Sequence, residues 1–378
     1  MFSYVSDAVY NVTNWARKEE IKEPEAELDT VSDPFRKSIE ENMQEIYFES
    51  RDGINIKMLV LKGGPKCMLL CSPLGFEDIS IFYPLIHHFG SEYTYVNWNY
   101  RGLFDSDMPK RNRKISIRDH AEDAAQVIIA AGFESATVVG YSMGVQVSLE
   151  LCLIEPQLVD SMVLINGAHG GIFSTAFQPL IKLPFIGNIS EWLIDEMLKR
   201  NPQKVMDFVV RVLTSSPIEK ALHKVGKYGG SKMLHDISGE GFINDWIKMY
   251  FGGLAKAQIN STNYCRLFQE LNAHSVKHLL NEIHHPTLLI AGRFDYLTPY
   301  YHMIAMHERM PNSKLIIDNW STHLSLLENP DLCVNSADEF LSENQKTKSF
   351  VSKHIRRSST CFEMEQATGE NSAAAIKL

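Results

Sequence analysis

Three side chains in this 378-residue chain have the types and order needed to make a hydroxyl reactive. Ser142 lies within Gly140-Tyr141-Ser142-Met143-Gly144, directly after the apolar run Thr137-Val138-Val139 and before a helix-period stretch containing Val147, Leu149, Leu151 and Leu153. A serine at a sharp strand-to-helix turn is held in strained backbone with its hydroxyl raised above the sheet, and flanking glycines give that turn room. The helix that follows points its free N–H groups and its dipole at developing negative charge. A free hydroxyl is a weak nucleophile at neutral pH, so it needs a base and a group that orients the base. Asp295 follows Leu289-Ile290-Ala291-Gly292, and His323 stands a short loop beyond Leu315-Ile316-Ile317-Asp318. In an architecture of alternating strands and helices the expected order is serine, acid, histidine, each just past a later strand, and these three residues follow it. A lone histidine is more often a surface or capping residue, but of the 14 histidines only His323 occupies that loop. Two backbone N–H groups would hold the oxyanion. One is on Met143; the other is expected on Phe76, where Gly75 permits the inward-facing conformation. His169 stands just past the sixth run and is placed outside the catalytic set.

The elements that must carry these residues follow from periodicity. Eight β-rich runs are expected at Glu45–Ser50, Ile54–Leu61, Cys67–Cys71, Tyr93–Trp98, Ala136–Gly140, Ser161–Asn166, Pro286–Ala291 and Lys314–Asp318. The middle runs are nearly continuously apolar, as strands buried on both faces of a mostly parallel sheet are. Arg51-Asp52-Gly53 signals a hairpin between the first two, so the sheet should open antiparallel and continue parallel. Ile117 to Ala131 carries an apolar stripe at helical spacing, and strands alternating with such helices predict a doubly wound α/β fold. The alternation stops between residues 167 and 285, which read as a helical insertion. Residues 45–166 and 286–342 form the core. Residues 1–44 read as an amphipathic helix with an acidic linker, and the polar segment 343–378 as a disordered tail.

Composition narrows the function classes. The chain is 44% hydrophobic and 22% charged, values of a globular protein, with net charge −9. An acidic balance argues against nucleic acid, which calls for a basic face, and Lys110-Arg111-Asn112-Arg113-Lys114 reads as a solvated loop. Six scattered cysteines without CxxC pairs or zinc spacing predict reduced thiols, and neither a metal nor a cofactor is expected. No run approaches the roughly 20 apolar residues of a membrane span and no secretory signal is evident, so a cytoplasmic location is expected and the four sequons read as incidental. The stripe Phe2, Val5, Val9, Val12 and Trp15 would let residues 1–16 rest on a lipid surface or on the protein's own body. Arg356-Arg357-Ser358-Ser359 has the form of a basic-directed kinase site, and Ile376-Lys377-Leu378 half matches a peroxisomal address.

Together these residues resemble the α/β-hydrolase superfamily across about residues 45–342. The likeness includes Tyr100-Arg101-Gly102-Leu103-Phe104-Asp105-Ser106, similar to the family's Arg-Gly-x-Gly-x-Ser stretch, the segment Ile283–Ile290 that leads to Asp295, and Leu327-Glu328-Asn329-Pro330 after His323. The resemblance implies Ser142 as nucleophile, Asp295 as acid, His323 as base, and residues 167–285 as a lid. Three positions depart from the family pattern: Leu74-Gly75 replaces His-Gly, Leu103-Phe104 replaces a small pair, and Val145 stands where a small residue is usual. The function expected is a serine hydrolase of carboxylic esters or thioesters; Phe173, Phe177, Leu180, Ile181, Leu183 and Phe185 would suit an apolar, lipid-like acyl chain or form the lid's own small core. No obligate protein partner is expected. The alternatives are an acyltransferase with the same triad and a non-catalytic sensor or interaction protein; the latter commonly loses a triad residue, and this chain keeps all three.

Overall fold

The computed structural model describes residues 34–74, 79–109, 115–172, 200, 261–295 and 297–346. Strand β1 (Met43–Glu49) pairs antiparallel with β2 (Asn55–Leu61) through a tight turn in which Gly53, at φ +77°, donates its N–H to Ser50 O. Only a residue without Cβ enters that region cheaply. The chain continues through β3 (Lys66–Cys71), α1 (Tyr83–Phe89), β4 (Tyr93–Trp98), α2 (Ile117–Ala130), β5 (Ala136–Tyr141), α3 (Met143–Ile154) and β6 (Val159–Ile165). After the insertion come α4 (Ser261–Ala273), β7 (Thr287–Gly292), α5 (Tyr301–His307), β8 (Ser313–Asp318) and α6 (Ser325–Glu328), then a last helix over residues 330–346. The eight strands form one sheet in the order β1-β2-β4-β3-β5-β6-β7-β8, antiparallel from β1 to β4 and parallel throughout the rest.

The period of two along each strand explains the two layers of helix. Leu69, Val138, Met162, Leu164 and Leu289 face one side and pack with α2, α3, α4 and α5. Their neighbours Leu70, Val139, Val163, Ile165 and Leu288 face the other, against α1, α6 and the last helix. Successive strand side chains alternate between faces, so an unbroken apolar run is what a strand covered on both sides needs. Helix α2 starts at a capping box, Ser116 accepting from Asp119 N–H while Asp119 Oδ2 accepts from Ser116 N–H at 2.8 Å. The Arg-Gly stretch after β4 has a structural task. Buried Arg101 grips Asp123 of α2 and also pairs with Asp52 in the hairpin at 3.2 Å, joining three separate segments.

Three expected boundaries move. Residues 34–44 are not linker: a helix occupies Pro34–Asn42, its Ile39 is buried in the core, Phe35 meets Tyr83 edge-on, and β1 begins at Met43 because Met43 pairs with Leu61. The last helix runs through residue 346, past the expected core limit of 342. The end of the insertion belongs to the core layer: Leu267 and Leu271 of α4 are buried, and Gln146 of α3 donates to Leu271 O at 3.1 Å. The expected lid otherwise falls mainly on residues 173–199 and 201–260, outside the described residues, as do residues 1–33, the loop 110–114 and the tail from 347.

The close approach of α3 to β3 fixes the most consequential turn. A Cβ on Gly144 would lie 1.9 Å from Cys71 O, a backbone atom that cannot step aside. Gly144→Ala is therefore expected to cost about 3 kcal/mol of stability, measured as a fall in the urea midpoint at unchanged slope.

Candidate active site

Ser142 sits between β5 and α3 with φ 55° and ψ −115°. A non-glycine residue in that region is strained, and strain of this kind persists only where surrounding structure imposes it. Here the imposing contacts are Ser142 N–H to Ile165 O on β6 at 3.0 Å and the packing of Gly144 on β3. The side chain does not cap its own helix. It turns instead to His323, whose Nε2 lies 3.0 Å from Ser142 Oγ. The other ring nitrogen, Nδ1, lies 2.8 Å from Asp295 Oδ2. A carboxylate only accepts, so Nδ1 carries the proton and Nε2 offers its lone pair to the serine hydroxyl. The sequence expectation for Ser142, Asp295 and His323 thus corresponds to one connected line of hydrogen bonds.

Each member is held from behind. Asp295, 3% exposed, accepts Leu297 N–H and Thr298 N–H on Oδ1, both at 2.9 Å, and has Thr298 Oγ1 at 2.8 Å from Oδ2. These donors satisfy the buried carboxylate and fix its rotation. The loop bearing His323 is built on two more buried carboxylates. Asp318 accepts from Trp320 N–H, Ser321 Oγ and Asn329 Nδ2, while Glu328 accepts from Thr322 N–H at 2.6 Å and Thr322 Oγ1 at 2.7 Å. Burial raises the Glu328 carboxyl above the usual range, with the Thr322 bonds working against that rise. Tyr141, the variable residue of the Gly-x-Ser-x-Gly motif, donates its hydroxyl to His323 O. Thr298, Glu328 and Tyr141 were not legible as site residues. Thr298 had one signal available, its place three residues after the acid, where a hydroxyl residue closes a turn on the carboxylate.

Of the two expected oxyanion donors, Met143 is the first residue of α3, where helical N–H groups have no intrahelical partner. Phe76 lies outside the described residues. His169 joins neither group: it is buried with its ring 5.0 Å from that of His302. Phe294, Leu297 and Trp320, neighbours of Asp295 and His323 in the chain, are exposed, the last 85% accessible. Among the described residues no group of three or more His, Cys, Asp or Glu side chains is arranged to hold a metal ion, and no helix is long and apolar enough to cross a membrane.

A strained serine elbow on a mostly parallel eight-stranded sheet, with acid and base on the loops after β7 and β8, defines a class of proteins. The family described as alpha/beta hydrolase fold matches residues 58–330, and the chain belongs to it. It is a hydrolase of that family. Relatives include a protein of Agrobacterium fabrum provisionally named carbamate hydrolase RutD, 23% identical over 287 residues that cover 74% of this chain and 94% of the relative. Among solved structures, an esterase from Exiguobacterium antarcticum superposes with a TM-score of 0.58 at 18% identity, over 79% of this chain and 100% of its own. The enol-lactonase from Burkholderia xenovorans gives 0.58 at 16% identity, with the same shares covered. These likenesses are of fold.

Burial has a consequence at acid pH. It lowers both His169 and His302 to about 4 and His120 well below the ordinary imidazole range. Between pH about 6.5 and 4 the unfolded chain therefore binds protons that the native state refuses. Stability from these groups is full above 6.5 and is lost as pH falls through that window. His302→Gln should flatten the decline of the urea midpoint between pH 6.5 and 4; a slope equal to wild type would assign the acid lability to other groups.

Proposed function

We propose that this chain hydrolyses carboxylic ester or thioester bonds through an acyl-enzyme on Ser142. The observation that carries the reading is the hydrogen-bonded line from Ser142 Oγ to His323 Nε2 and from His323 Nδ1 to Asp295 Oδ2, at 3.0 and 2.8 Å. Ser142 Oγ attacks the carbonyl carbon while His323 Nε2 takes the hydroxyl proton, and the carbonyl π pair moves onto oxygen. Asp295 holds the tautomer that leaves Nε2 free and stabilises the imidazolium that results. Met143 N–H receives the oxyanion, with Phe76 N–H the second donor that the sequence reading assigns. Collapse of the tetrahedral species breaks the acyl–oxygen or acyl–sulfur bond, and the imidazolium returns its proton to the leaving alcohol or thiol. Water, deprotonated by the same nitrogen, then releases the acid and restores the serine.

The names of the relatives support acyl chemistry at a carbonyl: a carbamate, an ester and an enol-lactone each present an electrophilic carbon with an oxygen or nitrogen leaving group. Phe294, Leu297 and Trp320, exposed beside the acid and the base, favour an apolar acyl group over a charged one. Labelling with a fluorophosphonate should modify wild type and spare Ser142→Ala, and p-nitrophenyl ester turnover should fall on the order of 10⁶-fold in that variant. A series of acyl lengths should peak above acetate. Folded wild type that neither labels nor turns over any ester would remove the proposal.

A further inference from the structure

Asn166, the first residue after β6, makes contact with both loops that flank the triad. Its side-chain Oδ1 accepts Gly292 N–H, the last residue of β7, at 2.9 Å. Its Nδ2 donates to Thr322 O at 3.1 Å and to Ser325 Oγ at 2.5 Å, on either side of His323 in the chain. Its backbone N–H donates to Ile290 O at 2.9 Å, and its backbone O lies 2.8 Å from Thr298 Oγ1, the hydroxyl that also meets Asp295. The residue before it, Ile165, receives the N–H of Ser142. All three triad residues are thus within two links of one buried amide.

The placement is forced at a cost. Asn166 adopts φ +45°, the left-handed region that asparagine tolerates better than other non-glycine residues. Gly292 is part of the same arrangement, because a Cβ there would fall 2.2 Å from Thr322 O. The base loop therefore passes directly against the end of the acid strand. A side chain bridging the two needs one acceptor and one donor at fixed separation, which a carboxamide supplies and a carboxylate does not.

We propose that Asn166 is a positioning residue that sets the distance between the loop carrying His323 and the strand end carrying Asp295, and so the alignment of the imidazole between acid and serine. The inference rests on the triad reading given above, and it acts through Thr322 and Gly292 rather than by contact with substrate. Asn166→Asp keeps the backbone preference and the acceptor for Gly292 N–H, but it faces Thr322 O with an oxygen and pushes the base loop away. Asn166→Gly keeps the backbone freedom and removes both ties, so that one variant remains informative should the other fail to fold. Asn→Asp at buried Asn263, whose amide donates to Gly102 O, controls for the general cost of burying a carboxylate.

Two readouts separate this inference from the function it rests on. The first is the proton NMR signal of His323 Nδ1–H, assigned by its disappearance in His323→Gln, which needs no turnover. It should broaden into exchange or shift in folded Asn166→Asp and Asn166→Gly and stay in place in Asn263→Asp. The second is the fluorophosphonate labelling rate, together with kcat and KM for the best p-nitrophenyl ester. In the Asn166 variants, labelling and kcat should fall on the order of a hundredfold with KM little changed, as expected of a misplacement near 1 Å. The pH–rate profile of Asn166→Asp should move to higher pH, since a carboxylate near the imidazole favours its protonated form. An unshifted Nδ1–H signal in either folded variant, or wild-type kcat and pH profile, would overturn the proposal. Wild type that shows the NMR signal but no labelling would overturn the hydrolytic reading and leave the positioning role to the NMR result.

Discussion

The arrangement depends on one close contact, the first turn of α3 against the end of β3. With only a hydrogen on Gly144, the helix start can press on Cys71 O at a distance no side chain would permit. Gly140, near the end of β5, makes the same accommodation, since a Cβ there would meet Ser148 Oγ at 2.5 Å and Gly144 O at 2.7 Å. Because the helix begins so near the sheet, the connection from β5 has a single residue in which to reverse, and Ser142 takes the strained conformation that reversal demands. Strain at the serine is therefore a consequence of packing density behind it. The hydroxyl is raised because nothing else at the turn has room to be.

The rest of the site reads as the electrostatic answer to that raised hydroxyl. A histidine that must carry a proton transiently is surrounded by buried carboxylates, but none is left to collapse onto the ring. Asp295 is saturated by two backbone donors and a hydroxyl, Glu328 by both donors of Thr322, and Asp318 by Trp320, Ser321 and Asn329. Only Asp295 meets the imidazole. The others accept from the backbone and side chains of the loop around His323 and stiffen it. A loop stiffened by internal donors needs no regular secondary structure to be precise.

What the sequence made legible were features written in consecutive residues. The continuous apolar runs of β3 to β7, the Gly53 turn and the serine elbow each need only a short window, and the structure bears them out. Asp295 and His323 were legible because each follows an apolar strand by a few residues. Features that depend on distant partners were not. The helix at Pro34–Asn42 is polar apart from Phe35 and Ile39, whose contacts with Tyr83, His87 and the second core face hold it to the body. β6 was expected to include Asn166, an unremarkable last strand residue by composition. The positive φ that ends the strand one residue sooner is imposed by Gly292 and Thr322, 126 and 156 positions away.

One departure from the family pattern shows how such distant terms compensate one another. Val145 occupies a position behind the elbow where a small residue is usual, and by itself it would thrust a branched side chain into the exit of β6. The structure accepts it because residue 167 is glycine: a Cβ there would lie 2.3 Å from Val145 Cβ and Cγ2. The two positions exchange volume across the β5–β6 boundary, so the space a small residue usually leaves on α3 is found instead on the strand exit. The exchange leaves Asn166 one residue from a glycine with no side chain to anchor it, and the carboxamide bonds to Gly292, Thr322 and Ser325 supply that anchorage from the far side. Bulk behind the serine is thus matched by its absence at the exit of β6, while Val145 N–H stays bonded to Ser142 O at 3.1 Å and keeps the elbow closed.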